Sequence, residues 1–391
     1  MNLPSFYYLK GREKMIEAAY IHIPFCEHIC HYCDFNKVFL KGQPVDEYLL
    51  SLEEEIRLTL APLQTKVFKT IFVGGGTPTA LNEKQLKKLC EIIQKHLPYD
   101  SNTEYTFEAN PGDLSKEKFQ ILYDFGVNRL SFGVQSFNDE LLKKIGRVHR
   151  AQDVFHSVDL AKRTGFRNIS IDLIYSLPGQ TVDDFKQTLE TAFTLDIPHY
   201  SGYSLIIEPK TVFYNLLQKG KLPVTSEDTE ATMYEILMEQ MEKNGFGQYE
   251  ISNFSKKGYE SRHNLTYWNN EEYFGFGAGA HSYVDGKRRS NHGPLKKYMN
   301  DLQHGMIPIL HEHVVTKQEG MEEEMFLGLR KVSGVNVQHF IHKFDENALK
   351  RFKKQIEKLQ TQGLLQVKEN NISLTKQGRL LGNEVFQEFL I

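Results

Sequence analysis

Six runs of apolar and β-branched residues, separated by stretches with helical spacing, extend from residue 18 to about residue 206. The predicted strands are AAYIHIPF, VFKTIFVGGG, EYTFEANP, NRLSFGVQS, NISIDLIYSLP and HYSGYSLI. After the first of them, Leu49, Leu52 and Ile56 recur at the spacing of one helix face. Repeated strand and helix units predict an α/β fold with a parallel sheet and right-handed crossovers. Six units favour a partial (β/α)6 barrel, similar to a TIM barrel, over a doubly wound sheet.

The loops after the first five predicted strands carry the most unusual residues of this half of the chain. They read CEHICHYCDF, GGGTPT, EANPGD, GVQSFN and DLIYSLPGQT. In a parallel barrel the carboxyl ends of the strands meet at one rim, where binding and catalytic groups collect. The sequence therefore predicts one functional site, built from these five loops.

Three further segments complete the predicted organisation around the barrel of residues 18–206. Residues 1–17 are an N-terminal extension without a predicted role. Residues 207–316, rich in aromatic residues and glycine, predict a second layer packed on the barrel. Residues 317–391 read as short helices followed by LLQVKENNISLT, a hairpin that turns at Asn370 and Asn371. This pattern predicts a small α+β, winged-helix-like domain at the C-terminus.

The charge and hydropathy patterns argue against nucleic-acid binding and against a membrane span. The chain has 47 basic and 50 acidic side chains in 391 residues, a net charge of -3. No apolar run approaches the roughly 20 residues that a membrane span needs, and the start lacks a signal-peptide pattern. The basic stretches LKRFKK and GKRR read as solvated surface. We therefore expect a cytoplasmic protein that does not bind nucleic acid and whose thiols stay reduced.

Three of the four cysteines, Cys26, Cys30 and Cys33, lie within eight positions in the pattern C-x-x-x-C-x-x-C. In a reducing compartment such clustering indicates metal or redox chemistry rather than disulfides. Three thiolates on one loop can each bind one iron of a cubane cluster, which leaves the fourth iron without a protein ligand. An open coordination position is typical of a catalytic metal site.

Structural zinc is the alternative interpretation of the cysteine loop. Its fourth ligand would be one of the neighbouring histidines, His22, His28 or His31. This alternative is weaker, because a second ligand pair normally comes from elsewhere in the chain and these histidines lack that spacing. The fourth cysteine, Cys90, lies on the apolar face of a predicted helix and is expected to be a buried small hydrophobic residue.

Glycines and charged residues follow the next predicted strands. The GGGTP stretch, Gly74 to Pro78, allows a small charged molecule to approach the main chain closely. Carboxylates can bind an amine or ribose hydroxyls, and a guanidinium can bind a carboxylate with two hydrogen bonds. Together these groups describe a ligand with an amine, a carboxylate and a ribose. The side chains concerned are Glu108, Gln135, Arg147 and Asp172.

The cysteine loop, with Tyr32 before its third cysteine and GGGTPT after the next strand, resembles the radical-SAM superfamily. YIHIPFC, FEANPGD, GVQSFN, IDLIYSLPGQT and the terminal LTKQGRLLGNEVFQEFL narrow the similarity to oxygen-independent coproporphyrinogen III oxidases and their haem-chaperone relatives. The resemblance covers nearly the whole chain. It implies a barrel of radical-SAM type with a 4Fe-4S cluster on the three cysteines, whose open iron binds S-adenosylmethionine (SAM). The residues that it assigns to SAM are Tyr20, Tyr32, Gly75, Gly76, Thr77, Glu108, Gln135, Arg147 and Asp172.

Two features separate the oxidases from the chaperones within this resemblance. The oxidases continue the loop to C-x-x-x-C-x-x-C-x-C, whereas Phe35 stands at the last of these positions here. The stretch HNLTYW matches the H-N-x-x-Y-W motif that the resemblance associates with haem binding, with His263, Tyr267 and Trp268 as haem contacts. A neutral imidazole suits haem iron, and the two aromatic rings could stack on a porphyrin. The alternative is that His263 and its neighbours simply pack the second layer.

The resemblance therefore implies a haem chaperone that uses a 4Fe-4S cluster and SAM and passes haem to an acceptor protein. No catalytic residue is assigned. The alternatives are a SAM-radical oxidative decarboxylation of coproporphyrinogen III and a structural zinc-binding protein. Transient membrane association and a homodimer are further expectations about its partners.

Overall fold

The structure is a computed structural model that describes residues 15–63 and 66–391. Most of the predicted N-terminal extension, residues 1–14, lies outside the described residues. Strands and helices alternate from residue 18 to residue 204. The strands are β1 (Ala18–Ile23), β2 (Phe25–Cys26), β3 (Val38–Phe39), β4 (Thr70–Gly75), β5 (Glu104–Ala109), β6 (Arg129–Gln135), β7 (Asn168–Tyr175) and β8 (His199–Ser204). The helices are α1 (Val45–Leu60), α2 (Glu83–His96), α3 (Lys116–Asp124), α4 (Asp139–Lys144), α5 (Ala151–Thr164) and α6 (Val182–Phe193), with a 3-10 turn at Pro78–Ala80.

The middle of the chain contains shorter elements. Its helices are α7 (Val212–Gln218), α8 (Glu227–Lys243), α9 (Arg262–Trp268) and α10 (Leu295–Gln303). Its strands are β9 (Gly247–Gln248), β10 (Asn253–Ser255), β11 (Phe274–Phe276), β12 (His281–Val284), β13 (Lys287–Asn291) and β14 (Ile309–Val314). The last three strands form a separate antiparallel sheet in the order β12-β13-β14.

The barrel sheet has nine strands in the order β11-β1-β4-β5-β6-β7-β8-β10-β9. The six central strands are parallel and follow chain order, which confirms the predicted partial barrel. Strand β11 joins β1 in parallel at one edge, while β10 and β9 extend the other edge in antiparallel. The middle segment therefore does more than cover the barrel as a second layer, because three of its strands complete the barrel sheet.

Apolar residues alternate along the barrel strands with residues that line the chambers, and the apolar ones pack against the flanking helices. Ile21, Val73, Phe107 and Phe132 are fully buried and belong to one large core together with the inner faces of the flanking helices. Helix α2 begins with a reciprocal capping box at Asn82, which satisfies backbone donors at the start of that helix. Among the described residues, no helix is both long and apolar enough to cross a bilayer.

The C-terminal segment forms a separate α+β core. Its helices are α11 (Lys317–Gly328), α12 (Val337–Phe344), α13 (Ala348–Arg351), α14 (Lys353–Thr361), α15 (Lys376–Leu380) and α16 (Gly382–Gln387). Its strands β15 (Val335–Asn336), β16 (Leu365–Lys368) and β17 (Asn371–Leu374) pair in the order β15-β17-β16. Met325, Phe340, Phe352 and Ile372 pack in its core. The order of helices followed by a hairpin agrees with the winged-helix-like arrangement that the sequence predicts.

The terminal hairpin turns one residue earlier than predicted. Lys368 pairs with Asn371, so the two-residue loop consists of Glu369 and Asn370. Both loop residues have positive φ, 48° and 67°. This left-handed pair is typical of a type I′ turn, whose twist matches that of the flanking strands. Asn371 was predicted to lie in the turn but begins β17 instead.

We expect Glu369→Asn to stabilise the protein, because asparagine tolerates the left-handed conformation better than glutamate does. The expected gain in the free energy of unfolding is about 0.5–1 kcal/mol. It would appear as a higher urea midpoint with an unchanged m-value. A lower midpoint would contradict this account of the turn.

Candidate functional site

The barrel encloses two adjoining chambers. The upper chamber, about 480 Å³, lies at the carboxyl ends of the strands and is lined by the three clustered cysteines. The lower chamber, about 510 Å³, lies deeper and is lined by residues that come earlier along the same strands, such as Phe72 and Arg129. Phe35, Glu108 and Asp172 line both chambers. A ligand in one chamber is therefore separated from the other by only a few side chains.

The cysteine loop contributes all three of its thiols to the upper chamber. Cys26 is buried at the end of β2, while Cys30 and Cys33 are half-buried on the loop that follows. The backbone N–H of His31 donates to the carbonyl of Ile145 over 3.0 Å, which ties the loop to the end of α4. Burial raises the pKa of Cys26 to about 11, although Thr77 Oγ1 donates to Cys26 Sγ over 3.7 Å. A thiol in this state gives up its proton when it binds iron.

Glycine at position 76 leaves the space that the cysteine loop needs. A Cβ there would lie 2.7 Å from the carbonyl oxygen of Phe25 and 2.9 Å from Cys26 Sγ. Gly75 has φ of +114°, and a Cβ on it would lie 2.5 Å from the His22 ring. Both glycines are therefore required by close approach of the backbone to its neighbours.

The residues of the upper chamber fit an iron–sulfur cluster in chemistry and placement. Cys30 lies close enough to Cys26 and Cys33 to raise the pKa of both thiols, and Arg147 adds positive charge beside the loop. Thiolates are the protein ligands that such clusters use. Among the described residues, no three His, Cys, Asp or Glu side chains are already arranged around a metal position.

The histidines near the loop offer little support for structural zinc. The two ring nitrogens of His22 are engaged, with Tyr20 Oη at 3.0 Å and the Asn36 carbonyl at 2.7 Å. His31 Nδ1 lies 2.9 Å from the carbonyl of Lys144. Of the three histidines considered as a fourth ligand, His28 alone lines the upper chamber with the thiols.

Two carboxyl groups of the upper chamber, those of Glu108 and Asp172, lie on neighbouring parts of the barrel sheet. Glu108, at the end of β5, accepts a hydrogen bond of 3.0 Å from the backbone N–H of Gly75 on the neighbouring strand. Burial, and next the charge of Asp172, raise the pKa of Glu108 to about 7. Burial also raises the pKa of Asp172. Neither carboxyl group forms an ion pair within the described residues, so the two are suited to a ligand with positive charge or several hydroxyls.

A bulge directs Gln135 into the upper chamber. The register between β6 and β7 shifts between Gly133 and Gln135, and Gln135 has a positive φ of 67°. Such a conformation is uncommon for a residue with a side chain and is typical of functional positions. A Cβ at Gly133 would lie 2.7 Å from Arg147 Nη2, so this glycine also makes room for the guanidinium. Arg147 in turn donates to Asn110 Oδ1 over 2.5 Å.

The structure brings eight of the nine predicted SAM contacts to the upper chamber. These are Tyr32, Gly75, Gly76, Thr77, Glu108, Gln135, Arg147 and Asp172. The ninth, Tyr20, lines the lower chamber. Their assignment to SAM stays a prediction.

The predicted haem contacts divide between two places. His263 and Tyr267 line the lower chamber, whereas Trp268 packs against Arg330, whose guanidinium carbon lies 4.4 Å from the centre of its ring. His263 is buried and has a partner at each nitrogen: Thr70 Oγ1 lies 2.9 Å from Nδ1 and Tyr267 Oη lies 2.8 Å from Nε2. Burial, and then the charge of Arg129, lower the pKa of His263 to about 3. The haem role of these three residues stays a prediction.

Helix α9 is held where it closes the lower chamber. The backbone N–H groups of Arg262 and His263 donate to the Glu104 carboxylate at 2.9 and 3.0 Å. A carboxylate at a helix N-terminus is favourable, because it satisfies free backbone donors and complements the helix dipole. The His263 ring also stacks on Phe72 with 5.1 Å between ring centres. The HNLTYW stretch thus forms part of the chamber wall.

Among the chamber residues that sequence reasoning missed are Arg129 and His281. Arg129 had a detectable signal, because Arg129, Ser131 and Gly133 alternate along β6 and share its lumen-facing side. His281 had none, since it reaches the lower chamber through the pairing of β11 beside β1. That pairing joins parts of the chain about 250 residues apart.

Comparison with known proteins agrees with this geometry. Residues 20–192 match the model of the Radical SAM superfamily, and residues 315–381 match that of the HemN C-terminal domain. A Bacillus subtilis protein named heme chaperone HemW is 55% identical over 376 residues, which cover 96% of this chain and 99% of the relative. The chain belongs to the HemW family. A protein of Lactococcus lactis named heme chaperone HemW is 48% identical over 374 residues, which cover 96% of this chain and 97% of the relative.

The match of this HemW-family chain to the Radical SAM superfamily confirms the prediction that its cofactors are a 4Fe-4S cluster and SAM. The fold also has a solved counterpart. Coproporphyrinogen III oxidase (HemN) from Escherichia coli superimposes with a TM-score of 0.83 over 96% of this chain and 90% of the oxidase, at 24% sequence identity. This likeness shows the shared fold. The HemW relatives share 55% and 48% of their residues with this chain, so the family assignment rests on them.

Proposed function

We propose that this protein binds haem as cargo and passes it to an acceptor protein, with a 4Fe-4S cluster and SAM held in the upper chamber. The observation that carries the proposal is the 55% identity, over nearly the full length of both chains, to a relative named heme chaperone. The lower chamber supports it, because a cavity of about 510 Å³ with aromatic walls lies directly beneath the cofactor chamber.

In this proposal, residues of opposite charge in the upper chamber bind different parts of SAM. Arg147 would pair with the carboxylate of SAM, and Glu108 would attract its positively charged amine and sulfonium. Gln135 and Asp172 offer hydrogen bonds to ribose hydroxyls, and the backbone at Gly75 and its neighbours allows close contact. When bound, the cluster supplies single-electron chemistry to SAM. The protein orients the ligand and keeps it against the thiol loop.

Phe35 favours this function over porphyrinogen oxidation. It stands where the oxidase pattern has a further cysteine, and its side chain is 60% exposed although it lines both chambers. An exposed aromatic ring at the boundary of the chambers can stack on a planar macrocycle but cannot act as a thiolate ligand. The oxidase alternative is accordingly not favoured.

The proposal is tested with the reconstituted holoprotein under anaerobic conditions, given SAM, a reductant and either haem or coproporphyrinogen III. We expect saturable haem binding and transfer of haem to an apo-haemoprotein, with no porphyrinogen converted. Formation of protoporphyrinogen in proportion to SAM consumed would contradict the proposal. So would a holoprotein that binds no haem.

We expect SAM binding to weaken in mild acid. Below a pKa of about 7, Glu108 takes up a proton and loses its attraction for a cationic ligand. A site that must lose one proton to bind weakens by about tenfold between about pH 8 and pH 6. Isothermal titration of the holoprotein across this range measures the effect, with cluster absorbance checked at each pH.

Glu108→Gln is the matched control for this pH dependence. The variant should bind SAM weakly at all these pH values and show no step near pH 7. A wild-type affinity that stays constant across the range would show that Glu108 does not face the cationic part of SAM.

Location and assembly remain part of the proposal. We infer that the protein works in the cytoplasm and that its acceptor is a haem protein that it meets transiently, with brief membrane association and homodimer formation as further hypotheses. The charge balance offers no support for nucleic acid as a partner. Sedimentation with and without haem would test the homodimer.

A further inference from the structure

Asn110 links the charged side of the upper chamber to the cysteine loop. It follows β5 directly and lines the chamber, yet it is not one of the predicted SAM contacts. Pro111 comes next in the chain, and the residue before a proline is restricted to extended backbone conformations. The side chain of Asn110 therefore starts from a backbone with little conformational freedom.

The contacts of the Asn110 amide fix its orientation. Its Oδ1 accepts a hydrogen bond of 2.5 Å from Arg147 Nη1, while its Nδ2 donates to Thr77 Oγ1 over 3.0 Å and to Asp113 Oδ2 over 3.2 Å. A guanidinium can only donate hydrogen bonds, so the amide oxygen must face Arg147. The amide nitrogen then has to face Thr77 and Asp113.

That orientation determines the direction of the Thr77 hydroxyl. A threonine hydroxyl has one proton and two lone pairs. Because Thr77 Oγ1 accepts from Asn110, its proton is free to point at Cys26 Sγ, which lies 3.7 Å away. Hydrogen bonds to the sulfurs of an iron–sulfur cluster help to set its reduction potential, because they stabilise the negative charge that reduction adds. Asn110 can therefore affect the cluster without contacting a cysteine.

The same amide holds Arg147 on the other side. Arg147 also contacts Tyr32, and its Nε is buried without a hydrogen-bond partner among the described residues. A buried donor that stays unpaired is costly, unless a ligand accepts a hydrogen bond from it. Asn110 thus fixes one nitrogen of the guanidinium, while a second nitrogen stays available to a carboxylate.

We propose that Asn110 is a positioning residue for both cofactors, which raises the reduction potential of the cluster through Thr77 and strengthens binding of the SAM carboxylate through Arg147. This inference rests on the placement of the cluster and SAM that is proposed above, and it is independent of haem. Transfer of an electron from the cluster to SAM requires both cofactors in one arrangement. The hydrogen bonds of Asn110 reach the groups that face each of them.

The Thr77 branch is tested by anaerobic redox titration of the reconstituted protein without SAM, followed by EPR. Asn110→Ala should lower the reduction potential by about 59 mV, the one-electron equivalent of a tenfold change in the equilibrium constant. Thr77→Val, which removes the hydroxyl, should lower it by a similar amount. The double variant should show no further shift, because Asn110 acts through that hydroxyl. Additive shifts, or an unchanged potential in Asn110→Ala, would overturn this branch.

Asn110→Asp is the second variant for the same measurement, because it is closer in shape to the wild type. Its carboxylate can still accept from Arg147, but it cannot donate to Thr77 and instead attracts the hydroxyl proton away from Cys26. We expect a potential at least as low as that of Asn110→Ala. A potential at or above the wild-type value would contradict the proposal.

The Arg147 branch is tested by isothermal titration of the holoprotein with SAM and with decarboxylated SAM, which lacks the carboxylate. Asn110→Ala should weaken SAM binding by about tenfold and leave binding of the analogue nearly unchanged. Equal losses for the two ligands would overturn this branch. A wild type that assembles the cluster but binds no SAM would instead contradict the proposed placement of SAM.

Asn128→Ala is the matched control for the loss of an amide. Asn128 precedes β6, at the end of the barrel opposite the upper chamber. Its amide donates to the Thr103 carbonyl over 2.7 Å and accepts from the Tyr105 backbone N–H over 3.0 Å. This variant should lower the urea midpoint but keep the wild-type potential and SAM affinity. An equal drop in potential in Asn128→Ala would show that the effect is not specific to Asn110, and would overturn the proposal.

Discussion

Cys30→Ser should abolish assembly of the iron–sulfur cluster. Cys30 is half-buried on the loop and faces the upper chamber with the other two thiols, so its replacement removes one of three iron ligands without disturbing the core. A serine hydroxyl is a hard and weakly acidic ligand that does not replace thiolate at such clusters. Anaerobic reconstitution should give a nearly colourless protein, against a brown wild type with broad visible absorbance. Iron and sulfide analysis should fall in parallel.

The matched control for this loss is Cys90→Ala. Cys90 is buried on α2 within the main core, outside the upper chamber. Its truncation should cost some stability, about 1 kcal/mol, but leave the iron content unchanged. Retention of a full cluster in Cys30→Ser would contradict the ligand assignment. A colourless wild type that contains zinc would contradict the cluster itself.

Gly76→Ala should disrupt both the cluster and SAM binding. A Cβ at this position would lie 2.7 Å from the carbonyl oxygen of Phe25 and 2.9 Å from both Cys26 Sγ and the carbonyl carbon of Pro24. Two of these three atoms belong to the backbone, so the added methyl must displace either the cysteine loop or the strand end. Such overpacking costs about 1–3 kcal/mol. We expect a reduced cluster yield and SAM affinity at least about tenfold weaker in the molecules that assemble.

Gly247→Ala serves as the control for the added methyl group. The atom nearest to a Cβ there is the Ser255 carbonyl oxygen at 3.9 Å, an ordinary van der Waals contact, and the position lies at the far edge of the barrel sheet. This variant should assemble the cluster and bind SAM as the wild type does. Normal SAM affinity in Gly76→Ala would show that the loop can move aside, and that the glycine is not required for the cofactor site.

Local patterns accounted for the barrel and for most of its rim. Each strand of the barrel is a short apolar run, and each functional loop follows such a run, so chain order alone predicts that Glu108, Gln135 and Asp172 meet at one rim. The upper chamber contains all of them. Tyr20, near the middle of β1, lines only the lower chamber, whereas Asp172, near the middle of β7, lines both chambers.

Long-range packing decided the rest. The sequence predicted that HNLTYW could contact haem, but the hydrogen bonds of His263 to Thr70 and Tyr267 depend on where α9 docks against β4 and β5. No local pattern indicates that both ring nitrogens are engaged. The same holds for the terminal hairpin, where pairing of Lys368 with Asn371 placed the turn one residue earlier than the asparagines suggested.

The sequence by itself determined the α/β barrel, the thiol loop with its three cysteines and the family to which the chain belongs. These properties depend on strand period, residue spacing and short motifs, which are local in the chain. The tertiary structure alone decided that the barrel contains two chambers, that Arg129 lies in the lower one, where its Nε has no hydrogen-bond partner among the described residues, and that His281 reaches it. The physical reason is that strand β11 pairs beside β1 across about 250 residues, and the energy of such a contact depends on the packing of the whole barrel.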